Sequence, residues 1–306
     1  MYSIKPLNKT LLLIILSAVW GSSFFVIKIG LNSFTPTGIA SLRLITASIF
    51  LLIFYYSFNS HPKLNLKLIL IFTFIGVTGN FLPFYLISWA EQHILSSTAG
   101  LLMSVGPIMT LVMSHFLTDD DRFTKNKLIS IFIGLVGIYL ILDIKIFSIL
   151  NDPNIIVTLS KIFVIVAAFG YMISNIAAYN KLKHINPITI TTFATFFGAV
   201  FSIPFFLYDL YLNDKSLNIS SITAIIYLGI FPTAIAFHMR YYIVKISGPV
   251  FLSYVAYLIP VFALIWGYLF LSERIQLTSY FGIFLVFIGL YIGQKGSVTK
   301  ISIKNI

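Results

Sequence analysis

GVTGNFLPFYLISW, residues 76–89, and GIFPTAIAFHMRYY, residues 229–242, are the two stretches whose comparison decides the fold. Laid on each other with a shift of 153 residues, Gly76 meets Gly229, Phe84 meets Phe237 and Trp89 meets Tyr242. The same shift carries Pro107 onto Pro260. A shift of 152 brings Asp121-Arg122 onto Glu273-Arg274 and Gly137 onto Gly289, and one of 151 brings Pro36 onto Pro187 and Phe50 onto Phe201. Drifts of one or two residues are what loop insertions between equivalent helices produce. So many matches in one order read as an internal duplication.

Both copies are apolar. The chain of 306 residues is 58% hydrophobic and 9% charged, whereas about a quarter of a soluble domain is charged. Such a chain uses lipid as its solvent. A membrane helix needs about 20 largely apolar residues, and ten stretches qualify: 11–30, 37–57, 66–89, 95–117, 126–143, 157–179, 187–207, 221–244, 250–271 and 277–294. Lys5 and Lys9 ahead of Leu11–Val19 resemble the start of a signal peptide. The apolar run continues through Trp20, Phe24, Phe25 and Ile29, however, so an uncleaved first helix is expected. The expected fold is all-α and integral to the membrane, with ten transmembrane helices in two five-helix repeats, residues 1–147 and 148–306. Five is odd, so the second repeat enters the membrane upside down. Inverted repeats of this kind allow alternating access around a midplane site.

The positive-inside rule sets the orientation. With the N-terminus inside, the cytoplasmic loops hold Lys5, Lys9, Lys63, Lys67, Arg122, Lys125, Lys127, Lys181, Lys183, Lys245, Lys295, Lys300 and Lys304. The outer loops hold Lys145, Lys161, Lys215 and Arg274. A bacterial inner membrane with both termini cytoplasmic is expected. The net charge of +11 is thereby explained without a nucleic-acid partner. Cys is absent, which removes disulfides and thiolate chemistry. His61, His93, His115, His184 and His238 are not spaced to form a metal or acid–base cluster with a carboxylate, so no metal, cofactor or enzymatic activity is expected.

Trp20-Gly21-Ser22-Ser23 with Lys28, then Pro36 and Arg43, resembles the first-repeat signature of EamA-type carriers, in the drug/metabolite transporter superfamily. Tyr257-Leu258-Ile259-Pro260-Val261-Phe262-Ala263 and Leu271-Ser272-Glu273-Arg274 are similar to the family's second-repeat block. Two departures stand out: Asp121 replaces the usual Glu, and Phe169-Gly170-Tyr171 replaces a Trp-Gly pair. The resemblance implies export or exchange of amino acids, metabolites or drugs.

Ionisable groups at membrane depth are functional candidates by default. Arg43, about 6 Å from the middle of its span at roughly 1.5 Å per residue, is the deepest cation and a candidate for an anionic substrate group. Lys28 shares a face with Trp20 and Phe24 and is read as snorkelling or gating. Arg240 is read as snorkelling inward, and His238 as packing or proton relay. Asn80, Phe84, Ser88 and Glu91 form a polar stripe on the third span. There Asn80 either bonds across helices or meets substrate, and Glu91 is a solvated or gating carboxylate. Trp20, Phe24, Tyr85, Tyr171, Phe237 and Tyr257 complete the expected cavity. Prolines 83, 107, 204, 232 and 260 favour kinks, and Gly134, Gly137, Gly282 and Gly289 favour close helix packing.

All nine carboxylates fall at loops or span ends. Without a deep acid, exchange or uniport is expected, or coupling through His238 or Glu91. The leading reading is a carrier of small metabolites, amino acids foremost. Multidrug or organic-cation efflux is the alternative, and an integral-membrane enzyme or an assembly protein stands further off. Whether the chain works as a monomer or a homodimer is open at this point.

Overall fold

A computed structural model describes residues 8–58, 64–119, 124–142, 154–212, 216–271 and 277–296. The expected repeat boundary at 147 lies outside the described residues, as do Asp121, Arg122, Glu273 and Arg274. Every described element is helical: α1 Lys9–Gly30, α2 Pro36–Phe58, α3 Leu66–Gly76, α4 Leu82–Ala90, α5 Ser96–Met103, α6 Gly106–Leu117, α7 Lys125–Leu142, α8 Ile155–Leu182, α9 Pro187–Leu212, α10 Ile219–Gly229, α11 Ala236–Ser253, α12 Val255–Leu271 and α13 Leu277–Gly296. Two π-helical segments, Val77–Phe81 and Ile230–Ile235, join α3 to α4 and α10 to α11. Each stretch expected to span carries helix.

Six helical runs among the described residues are long and apolar enough to cross a membrane: Lys9–Gly30, Pro36–Tyr56, Leu66–Ala90, Ile155–Leu182, Pro187–Tyr211 and Ile219–Ser253. Large apolar side chains such as Ile53, Phe132, Tyr211 and Phe284 stand on the outer surface, an apolar exposure that suits contact with lipid.

Local chemistry explains the starts. Asn8, Asn65, Asn154 and Asn218 cap α1, α3, α8 and α10, each accepting from a backbone N–H two or three residues on. Asn65 and Asn218 are again 153 positions apart, and the π segments that follow begin 153 apart, at Val77 and Ile230.

Proline explains the π segments. Pro232 has no N–H for the Leu228 carbonyl four residues before it, and the Thr233 hydroxyl donates there instead, at 2.7 Å. Pro83 leaves the Gly79 carbonyl without its helical donor in the same way. The expected pair of proline kinks at Pro107 and Pro260 takes another form. The breaks fall earlier, at Ser104–Val105 and at Tyr254; Pro107 opens α6 while Pro260 stays inside α12. Gly248 (φ 81°, ψ 166°) also interrupts α11, a backbone that side chains with a Cβ rarely adopt.

Glycine sets the closest packing, as expected. A Cβ at Gly137 of α7 would lie 2.7 Å from the Gly282 carbonyl oxygen of α13, and one at Gly289 2.8 Å from the Ser130 oxygen. Gly137→Leu is therefore expected to force α7 and α13 apart. Size-exclusion of detergent extracts should show loss of the monodisperse peak, and a normal profile would refute this account of the contact.

Candidate substrate cavity

A cavity of about 850 Å³ of empty space, mouth included, opens where α1, α2, α4, α5, α6, α8, α11 and α12 converge. Its wall is mostly apolar: Phe24, Ile27, Phe84, Ile87, Met103, Ala168, Met172 and Ile259. The polar groups are Ser23, Arg43, Thr110, Tyr171, Asn175, Arg240 and Ser253. An apolar pocket with a few convergent polar groups is what a small-molecule site requires.

Of the expected residues, Trp20, Phe24, Arg43, Phe84 and Tyr171 line this cavity. The Trp20 indole donates to the Pro232 carbonyl at 2.9 Å, which fixes α1 against the second π segment, and its ring stacks on Tyr171 at 6.4 Å. Phe237 sits one layer behind, edge-on to Trp20 at 5.9 Å and against Phe84 at 5.6 Å. Tyr85 stacks on Phe81, and Tyr257 donates to the Ile131 carbonyl at 3.1 Å, so both serve packing rather than the cavity. His238 lies outside the lining with Nδ1 buried and unpartnered. Asn80 is fully buried in the first π segment, yet its amide has no partner and does not reach the cavity. Neither expected role for it is met among the described residues.

Two expectations are corrected. Arg240 does not snorkel. It is 0% exposed, lines the cavity and donates to the protein from every guanidinium nitrogen. Nε donates to Asn175 Oδ1 at 2.7 Å, Nη1 to the Gly79 carbonyl at 3.0 Å, and Nη2 to Ser174 Oγ and, at 3.5 Å, to the Tyr171 carbonyl. The acceptor at Gly79 is the carbonyl that Pro83 leaves free. Counting residues along a straight helix missed this, because the π segment adds a residue to the turn and re-aims everything after it. Glu91 is not solvated either. It is 3% exposed, whereas Lys28, at the same end of α1, is exposed. Asn175, Thr110 and Met172 were not singled out in sequence; their residue types are common in helix packing and gave no signal.

Arg43 contrasts with Arg240. It is 3% exposed, its Nε donates to Thr233 Oγ1 at 3.1 Å, and its guanidinium carbon stands 3.6 Å over the Phe84 ring. Nη1 and Nη2 make no hydrogen bond to a described residue. Neither arginine has an ion pair among the described residues, and no carboxylate lines the cavity. A buried cation without an acid is costly. The aromatic faces offset part of that cost, and an incoming anion would offset more.

Apolar helices long enough to cross a bilayer, set around a cavity with a free buried cation, define a multi-pass membrane transporter of small molecules. The chain belongs to the EamA-like transporter family, which it matches over residues 8–143 and 158–292. An uncharacterized transporter of Archaeoglobus fulgidus is 26% identical, covering 94% of this chain and 98% of its own. A probable amino-acid metabolite efflux pump of Escherichia coli is 24% identical, covering 93% and 94%. A probable terminal-alkyne amino-acid exporter of Streptantibioticus cattleyicolor is 24% identical over 87% of each chain. A solved crystal structure shares the fold, with a TM-score of 0.73 at 15% identity, over 94% of this chain and 98% of that one.

Proposed function

We propose that this protein is a secondary transporter that exports or exchanges amino acids and similar small carboxylates by alternating access. On this reading ten helices cross a bacterial inner membrane as two inverted five-helix repeats, residues 1–147 and 148–306, with both termini in the cytoplasm. Support for the repeats comes from the two matched stretches of the family and from the paired Asn caps and π segments. The names of two relatives, an amino-acid metabolite pump and an amino-acid exporter, support the substrate class.

The observation that carries the reading is Arg43. Arg43 lines a cavity with no acid, and its two terminal nitrogens make no hydrogen bond to a described residue, a setting that selects a carboxylate and repels an organic cation. The apolar wall then receives the side chain. Multidrug efflux of organic cations fits this setting poorly, since such substrates call for a buried acid in the cavity.

The test is counterflow in proteoliposomes with radiolabelled L-leucine and L-phenylalanine, competed by a full amino-acid panel, by phenylalaninamide and by tetraphenylphosphonium. Amino acids should exchange and compete, while the amide and the phosphonium should not. Competition by the amide equal to that by phenylalanine would remove the carboxylate from the reading. Exchange of the phosphonium alone would restore the organic-cation alternative.

A further inference from the structure

Glu91 caps α4 one residue beyond the apolar run Leu66–Ala90. Both carboxyl oxygens are buried without a hydrogen-bond partner. Positions 84, 87 and 91 follow helical i, i+3, i+7 spacing, and Phe84 and Ile87 line the cavity. The carboxyl thus continues the cavity-facing side of α4 by one turn. Ile27, Ile87, Ala90 and Ile94 belong to one buried apolar cluster at this end.

The charged group that acts on Glu91 is Lys28, from the last turn of α1, which is exposed and makes no ion pair with it. His93, on the same turn as Glu91, is exposed and rests on the Trp89 ring at 4.7 Å. The Ser96 hydroxyl of α5 lies near enough to favour the charged form slightly, but neither oxygen makes a hydrogen bond of normal geometry, so the apolar surroundings prevail. Burial raises the Glu91 carboxyl well above the usual carboxylate range, partly countered by Lys28 and Ser96. A dry, unpaired carboxylate takes up a proton rather than stay charged.

We propose that Glu91 is a proton-binding site that gates this end of the transport path: the end is shut with the carboxyl protonated and opens as the proton leaves to water. The step is a single dissociation, carboxyl to carboxylate plus a proton released to the solvent on that side. The shut form binds the proton more tightly than the open form, in which water reaches the group. Closure is therefore favoured at low pH and lost as pH rises through the raised value, and this bias is the linkage free energy between the two forms. In the orientation proposed above, this is the outer face. The gate has its meaning on the transport reading, but its test uses no substrate, so the two fail separately.

The chain has no cysteine, so one introduced thiol reports its own position. Ile94→Cys, at a buried site, would report opening, and Leu95→Cys, at an exposed one, would correct for thiol reactivity. The ratio of their maleimide labelling rates should rise several-fold between about pH 6 and about pH 9. In a Glu91→Gln background, which mimics the protonated group, it should stay low and flat. Infrared difference spectra between the two ends of that pH range should show a protonated-carboxyl band at the acid end that Glu91→Gln removes. A flat ratio with Glu91 in place, a pH-dependent ratio in Glu91→Gln (His93 would then be the source), or no such band would each overturn the proposal.

Discussion

Arg43→Ala is expected to abolish carrier activity while leaving the protein folded. The two free guanidinium nitrogens are the cavity's uncommitted charged donors, and a hydrogen bond to a charged group contributes about 1.5–3 kcal/mol. Losing it weakens carboxylate binding roughly 10- to 150-fold, and more where both nitrogens engage the same carboxylate. The fold has little at stake. Thr233 keeps its own bond to the Leu228 carbonyl, and Phe84 remains packed on Phe237. Arg43→Lys should recover part of the exchange, because a point charge replaces a planar fork. Counterflow in proteoliposomes, beside size-exclusion of the same preparations, checks the pair. Normal exchange by Arg43→Ala would remove Arg43 from the substrate site.

Much of the architecture was legible in advance because it depends on pattern. Apolar runs of membrane length stand out from a charge content of 9%, and a shift of 153 residues aligns Gly76 with Gly229 whatever the packing. Arg43 was legible for the same reason, as a charge far inside an apolar run. What depends on three-dimensional registration was not. Arg240 looked like an inward-reaching surface cation because depth was counted on a regular helix. The Ile230–Ile235 π segment changes which way the later residues point, and only the assembled bundle brings Asn175, Ser174 and Gly79 to meet it. Glu91 misled in the opposite sense: a position at a span end reads as wet, yet here the side chain is buried. Tyr257 and Tyr85 show the limit of aromatic content as a guide, since most rings in such a chain serve packing.

The second arginine should behave differently, and the difference tests the division of labour. Arg240→Lys is expected to cost stability first. An ammonium is one point and cannot reach Asn175, Ser174 and the Gly79 carbonyl together, as the fork does. The Gly79 carbonyl then loses its guanidinium donor, and Pro83 has no N–H to offer it in its place. Leaving such groups unsatisfied costs about 1–3 kcal/mol each. At roughly 2–4 °C per kcal/mol for domains only somewhat smaller than this chain, the midpoint should fall on the order of 10 °C. The ties also join α11 to α4's π segment and to α8, which the proposed repeats place in different units in the first case and the same unit in the second. Loosening them should shift the balance between access states, so exchange rate should change more than half-saturation. Thermal unfolding in detergent and the concentration dependence of exchange separate these outcomes. An unchanged midpoint with sharply weakened half-saturation would mean that Arg240, like Arg43, reads the substrate.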